Sequence, residues 1–207
     1  MTLIKICGIT NLTDALNAVD TGADALGFNF YLPSPRYIAP AKAREIIDQL
    51  PPNVLKVGVF VNEPSLISIA NDAGINALQL HGDESPEYCS KLKGWFVVKT
   101  LPVDDKFDPK KWREYQVDAI MLDAKHPNLR GGTGQVIDWT LARSVQDMGA
   151  KVVLAGGLSS ENVREAITAV SPYAVDACSA LESGPGRKDQ KKVSAFIQTI
   201  RKMDQEI

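Results

Sequence analysis

The chain has 207 residues, 44% hydrophobic and 23% charged, the make-up of a water-soluble globular protein with enough apolar residues for one sizeable core. Its 23 basic and 25 acidic side chains leave a net charge of −2 and are mixed along the sequence, which excludes a broad basic surface for nucleic acid. No apolar run nears the roughly 20 residues that span a bilayer, and no basic segment with an apolar h-region opens the chain, so a cytoplasmic protein without a membrane partner is expected.

The three cysteines, at 7, 89 and 178, are odd in number and scattered, which fits a reducing compartment and excludes a disulfide scaffold. His81 and His126 are the only histidines and neither sits in a metal-ligand pattern, so no metal is expected.

In chain order, the first apolar run, LIKICGI, reads as a strand with Lys5 and Cys7 on one face and Ile4 and Ile6 on the other. NLTDALNAVDTG follows with helical spacing and a glycine, Gly22, where a left-handed cap belongs. Strand ALGFNF, the loop LPSPRY with Arg36, helix APAKAREIIDQL and strand LKVGVFV come next, then helix EPSLISIANDAG, ending in Gly74. Strand ALQLHG carries His81 at its end, SPEYCSKL reads as a helix, and WFVVKTL is a strand bearing Lys99. DPKKWREYQ is a poor helix. Strand VDAIMLD ends in Asp123 before the long loop AKHPNLRGGTG, and helix TLARSVQDMG, ending in Gly149, leads to strand KVVLAGG. Helix SENVREAITAV, strand AVDACSA and helix KKVSAFIQTIRKM complete the chain.

Eight strand-helix rounds imply a parallel sheet covered by helices, closing into a (β/α)₈ TIM barrel that forms a single domain over residues 1–207. An open doubly wound sheet would place a glycine-rich fingerprint at the first strand-helix turn, but CGITNLTD has one glycine.

Barrels keep their active sites at the carboxyl ends of the strands, which singles out Cys7, His81, Asp123, Gly156 and Gly157, and the residues around Asp176. Gly156-Gly157 with the cap-type residues behind it can cradle a phosphate on backbone N–H groups, and CSALESGPG at the end of strand eight is the neighbouring position. The planar fork of Arg36 suits a carboxylate. By position alone, Asp123 either caps the next element or works on substrate, His81 is structural or functional, and Lys99 is a strand-borne amine open to Schiff-base chemistry. Cys7 alone reads as a buried small hydrophobe or as a base.

Taken together, KICGIT, GADALGFNFYLPSPRYI, VGVFVN, ALQLHGDE, MLDAKHPNLRGGTGQVIDW, VVLAGGLSSENV and LESGPGRKD, in that order and over nearly the whole chain, resemble the phosphoribosylanthranilate isomerases of tryptophan biosynthesis. The resemblance implies a (β/α)₈ barrel and an Amadori rearrangement of N-(5-phosphoribosyl)anthranilate to an aminoketose, the third step of tryptophan synthesis from chorismate. It implies a small-molecule substrate, no cofactor or metal, and a monomer or homodimer. It assigns the general base to Cys7, the general acid to Asp123 and the anthranilate carboxylate to Arg36. The phosphate falls to Gly156, Gly157, Ser179 and Ala180, with His81 and Asp176 completing the substrate-binding set.

Strand eight departs from the family's usual Asp-Val-Ser-Ser-Gly-Val-Glu, reading Asp176-Ala177-Cys178-Ser179-Ala180-Leu181-Glu182. Ala180 restricts any positive-φ conformation there. Cys178 shares the parity of Asp176 and, once strands one and eight meet, faces Cys7 closely enough for a disulfide to be considered. The rival readings are a phosphosugar lyase or synthase on the same barrel, which would use a strand-borne lysine as its acid, and a non-catalytic phosphosugar-binding module.

Overall fold

The computed structural model describes residues 1–104, 106–124 and 138–206. Eight strands, β1 (Leu3–Cys7), β2 (Ala25–Asn29), β3 (Leu55–Phe60), β4 (Ala77–Leu80), β5 (Phe96–Val103), β6 (Ala119–Ala124), β7 (Val152–Leu154) and β8 (Ala174–Ala177), pair in chain order and close into a barrel. Every neighbouring pair is parallel, including β8 with β1. Helices α1 (Leu12–Thr21), α2 (Pro40–Ile47), α3 (Leu66–Ala73), α4 (Pro86–Cys89), α5 (Trp139–Asp147), α6 (Val163–Val170) and α7 (Gln190–Gln205) run between and after the strands. A short hairpin, β9 (Glu182–Gly184) and β10 (Arg187–Lys188), separates β8 from α7. The expected (β/α)₈ barrel is the fold.

The strand alternation explains the two cores. Outward residues such as Ile4, Ile6, Leu26 and Phe28 are fully buried with Phe196, Ile197 and Ile200 of α7 and their helical counterparts. Each such side chain contributes about 1.5–3 kcal/mol on burial. Inward residues are smaller, Val57 and Ala77 on one side and Ala119, Met121, Val153 and Ala174 on the other, and they fill the barrel interior. The same parity, continued toward the carboxyl ends, turns polar: Cys7, Asn29, Gln79, His81, Asp123 and Asp176 all line the mouth.

Several elements differ from the sequence reading in length, including strand AVDACSA, of which β8 keeps only Ala174–Ala177. SPEYCSKL yields only the four-residue α4, because beyond Cys89 the backbone continues in tighter turns, Lys91 N donating to the Tyr88 carbonyl and Leu92 N to the Cys89 carbonyl, both at 3.1 Å. Strand β7 stops at Leu154 because Gly156 and Gly157 adopt φ of 91° and 59°, outside extended geometry. DPKKWREYQ, a poor helix by its sequence, gives only a single 3₁₀ turn, Lys111–Glu114. Gly22 and Gly74 cap α1 and α3 as expected, and the loop AKHPNLRGGTG with His126 lies outside the described residues apart from its first residue, Ala124.

Candidate active site

A cavity of about 350 Å³ opens at the carboxyl ends of the strands, and Cys7, Arg36, His81, Asp123, Asp176 and Cys178 are among the residues lining it. Every residue that the family resemblance assigned to the site, Gly156, Gly157, Ser179 and Ala180 included, lines this one cavity, whereas Lys99 does not.

On the β1 side, Cys7 stands opposite Gly27 in the β1–β2 register. A Cβ at position 27 would lie 2.7 Å from Cys7 Sγ and 3.1 Å from Lys5 Nζ, so the glycine is what leaves room for both side chains. Across the β1–β8 seam Lys5 is paired with Asp176, Nζ donating to Oδ1 at 2.7 Å. Burial opposes the Lys5 charge, but attraction to Asp176 and Cys7 outweighs it and raises the ammonium pKa. Burial pushes Asp176 up to about 6, only partly offset by Lys5. Both partners shift upward because two anionic neighbours share one lysine, and desolvation dominates at the carboxylate.

Cys178 lies beside Cys7, as strand parity implied, and both thiols are free. Donation from the Cys178 thiol to the Cys7 sulfur is the largest influence on Cys7; burial opposes it, and Lys5 and Lys188 add to it. The result holds Cys7 well below the ordinary thiol value of 9.0. Cys178, as the donor to that anion and buried besides, is pushed well above the same value. Replacing Cys178 with alanine is therefore expected to raise the Cys7 pKa, read as a shift to higher pH in the alkylation of Cys7 by iodoacetamide. Serine, which keeps a donor, should restore most of it.

The β9–β10 hairpin supplies two buried charges that the sequence reading left unassigned. Lys188 Nζ donates to Glu182 Oε1 at 3.0 Å and to the Cys178 carbonyl at 3.2 Å, with side-chain exposures of 1% for Lys188 and 5% for Glu182. Glu182 also receives Arg36 Nε at 2.9 Å and Nη2 at 2.8 Å. Arg36 is thus a fixed part of the wall, its pKa raised by the hydrogen bonds to Glu182 against burial. Glu182 and Lys188 both sit in LESGPGRKD, a stretch whose composition does not mark which of its charges are buried.

Facing them, β6 presents Asp123, 6% exposed, and the residue just past β4 is His81, whose Nε2 is 3.3 Å from Asp123 Oδ2. Gln79, unassigned from sequence, lies behind, its Nε2 3.1 Å from His81 Nδ1. Lys99 is committed to Glu84 and to the Gly82 carbonyl at 2.6 and 2.7 Å, which removes it as a free strand-borne amine.

At the top of β7 and β8, Asn162 ties the turn together: its Oδ1 accepts from Ser159 N at 2.9 Å and its Nδ2 donates to the Gly157 carbonyl at 3.0 Å. Ser179–Leu181 forms one 3₁₀ turn. Among the described residues the non-glycine positions with positive φ are Asn62 and Ser171, so Ala180 meets no such strain and the concern over its side chain falls away.

A thiol held toward its anion, a carboxylate opposite, and a glycine turn beside a helix start share one barrel mouth. A family model described as N-(5'phosphoribosyl)anthranilate (PRA) isomerase matches residues 4–199. The N-(5'-phosphoribosyl)anthranilate isomerase of Trichlorobacter lovleyi is 47% identical over 207 residues, covering 97% of this chain and 98% of its own. The crystal structure of phosphoribosyl anthranilate isomerase from Thermotoga maritima superposes with a TM-score of 0.89 at 44% identity, covering 98% of this chain and 100% of that one. A phosphoribosyl anthranilate isomerase solved with reduced 1-(o-carboxyphenylamino)-1-deoxyribulose 5-phosphate gives 0.86 at 42% identity, with coverages of 98% and 100%. On these grounds the chain belongs to the N-(5'-phosphoribosyl)anthranilate isomerase family.

Proposed function

We propose that this cavity converts N-(5'-phosphoribosyl)anthranilate to 1-(2-carboxyphenylamino)-1-deoxyribulose 5-phosphate, with Asp123 as general acid and Cys7 as general base. Asp123 protonates the furanose ring oxygen while the anilino nitrogen lends its lone pair to C1′, so the C1′–O bond breaks and an iminium forms. Cys7 then removes the proton from C2′, and the electrons move to the nitrogen through an enolamine that tautomerises to the ketone. Acid and base act at different atoms of one sugar, and the two groups rise from β6 and β1 into the same hollow.

The single observation that carries this reading is the Cys7 environment, in which a neighbouring thiol and two lysines favour the thiolate at a strand end that opens into the cavity. A buried structural cysteine is ordinarily pushed the other way, as Cys89 is by its own burial. The lysine-acid alternative of a phosphosugar lyase or synthase loses support, since Lys5 is held by Asp176 and Lys99 by Glu84.

For binding, the backbone of Gly156 and Gly157 with that of Ser179 and Ala180 takes the phosphate, and Asp176 accepts from a ribose hydroxyl. Arg36 uses Nε and Nη2 on Glu182, which leaves its Nη1 edge for the anthranilate carboxylate. An Arg36→Met variant should raise KM about tenfold or more with kcat changed far less, as loss of ground-state binding requires. Glu182 keeps Lys188 in that variant, so its charge stays paired. The activity itself is tested by following the fluorescence of phosphoribosylanthranilate. Its disappearance with the purified chain separates this reading from both a lyase acting on another substrate and a binding module that holds the compound unchanged.

A further inference from the structure

Gln79 stands two residues before His81 on β4 and is 2% exposed, on the inward face. Its Nε2 lies 3.3 Å from Met121 Sδ and 3.1 Å from His81 Nδ1. A thioether sulfur can accept a hydrogen bond but has no proton to give, so the Gln79 group facing it is the NH₂. That same NH₂ faces His81, where Nδ1 must then present its lone pair, and Thr100 Oγ1 at 3.4 Å is a second group able to donate to it. A neutral imidazole carries one ring proton, and with Nδ1 accepting, it resides on Nε2, 3.3 Å from Asp123 Oδ2.

We propose that Gln79 is a positioning residue: by fixing the Nε2–H tautomer of His81, it aims an N–H donor at Asp123 that stabilises the carboxylate formed when Asp123 gives its proton to the substrate. A donor interacts more strongly with a carboxylate than with the neutral acid, so the contact gains strength as the proton leaves, which lowers the barrier instead of merely tightening the ground state. The opposite tautomer would turn a lone pair toward the growing charge. Met121 has a part here beyond filling the barrel, because its sulfur settles which end of the Gln79 amide meets the ring.

This rests on the reading of Asp123 as the acid, and the test separates the two. With histidine labelled by the heavy nitrogen isotope, the wild-type chain has only two rings to assign, and a His126→Gln variant identifies which is which. At a pH where the ring is neutral, His81 should show a protonated Nε2 and an unprotonated Nδ1. The reverse pattern overturns the proposal without any variant at position 79 having to fold. In kinetics, Gln79→Met, similar in length but unable to donate, should lower kcat about tenfold. The same change in a His81→Gln background, where a side-chain amide offers its donor to Asp123 and has no tautomer to set, should alter kcat by less than about twofold. Equal losses in the two backgrounds would show that Gln79 acts independently of His81 and sink the idea. Failure of the acid assignment would be recognised separately, as an Asp123→Asn variant that keeps its kcat while the His81 spectrum is unchanged.

Discussion

Exchange of Cys7 for serine is expected to lower kcat by about 10²- to 10⁴-fold, the usual range for loss of a positioned base. Serine is nearly isosteric and fits the hollow opposite Gly27, so the barrel and the binding groups persist and KM should change little. What disappears is an ionisable group within reach of its surroundings. Cys178, Lys5 and Lys188 can hold a thiol toward its anion, but a hydroxyl ionises too far above neutrality for the same neighbours to do so. Cys7→Ala should be as inactive, and retention of kcat within about twofold in either variant would place the base elsewhere. The pH profile carries the same information with a definite sign. A base works when unprotonated, so a thiol shifted downward moves the acid limb of kcat/KM below the ordinary 9.0. Asp176, at about 6, loses its charge on the acid side of that range and should weaken substrate binding there.

Much of this was legible in the sequence because the barrel is built from periodic, locally consistent segments. LIKIC declares its inward and outward faces by alternation, and Gly22 and Gly74 mark two helix ends by their freedom to take positive φ. Strand ends then point to Cys7, His81, Asp123 and Asp176 with no further information. Composition could not disclose which charges are buried. Glu182 and Lys188 lie in a Gly- and Pro-containing polar stretch whose composition does not mark them as buried, yet the hairpin folds them under Arg36 and Cys178, a pairing between residues far apart in the chain. Gln79 was hidden for a different reason. Its parity matches His81, but its importance depends on the identity of Met121 two strands away, and a thioether facing an amide has no sequence signature.

Asp123→Asn is expected to depress kcat by about 10²- to 10⁴-fold, and the step it slows can be told apart from the one that the proposed mechanism assigns to Cys7. Asparagine preserves the outline of the side chain and a hydrogen-bonding atom beside His81, yet it has no proton to deliver to the ring oxygen. Ring opening then becomes the slow step, while Cys7 still finds the C2′ proton within reach once the iminium forms. With substrate deuterated at C2′, the isotope effect on kcat should therefore fall toward unity in Asp123→Asn. In Cys7→Ser the proton abstraction is itself impaired, so the same substrate should show the full primary effect. Two variants of comparable inactivity would thus give opposite isotopic signatures, which a general loss of folding in either cannot produce. If both showed the same large effect, Asp123 would be assisting the abstraction instead of the ring opening, and the division of labour between β6 and β1 would have to be redrawn.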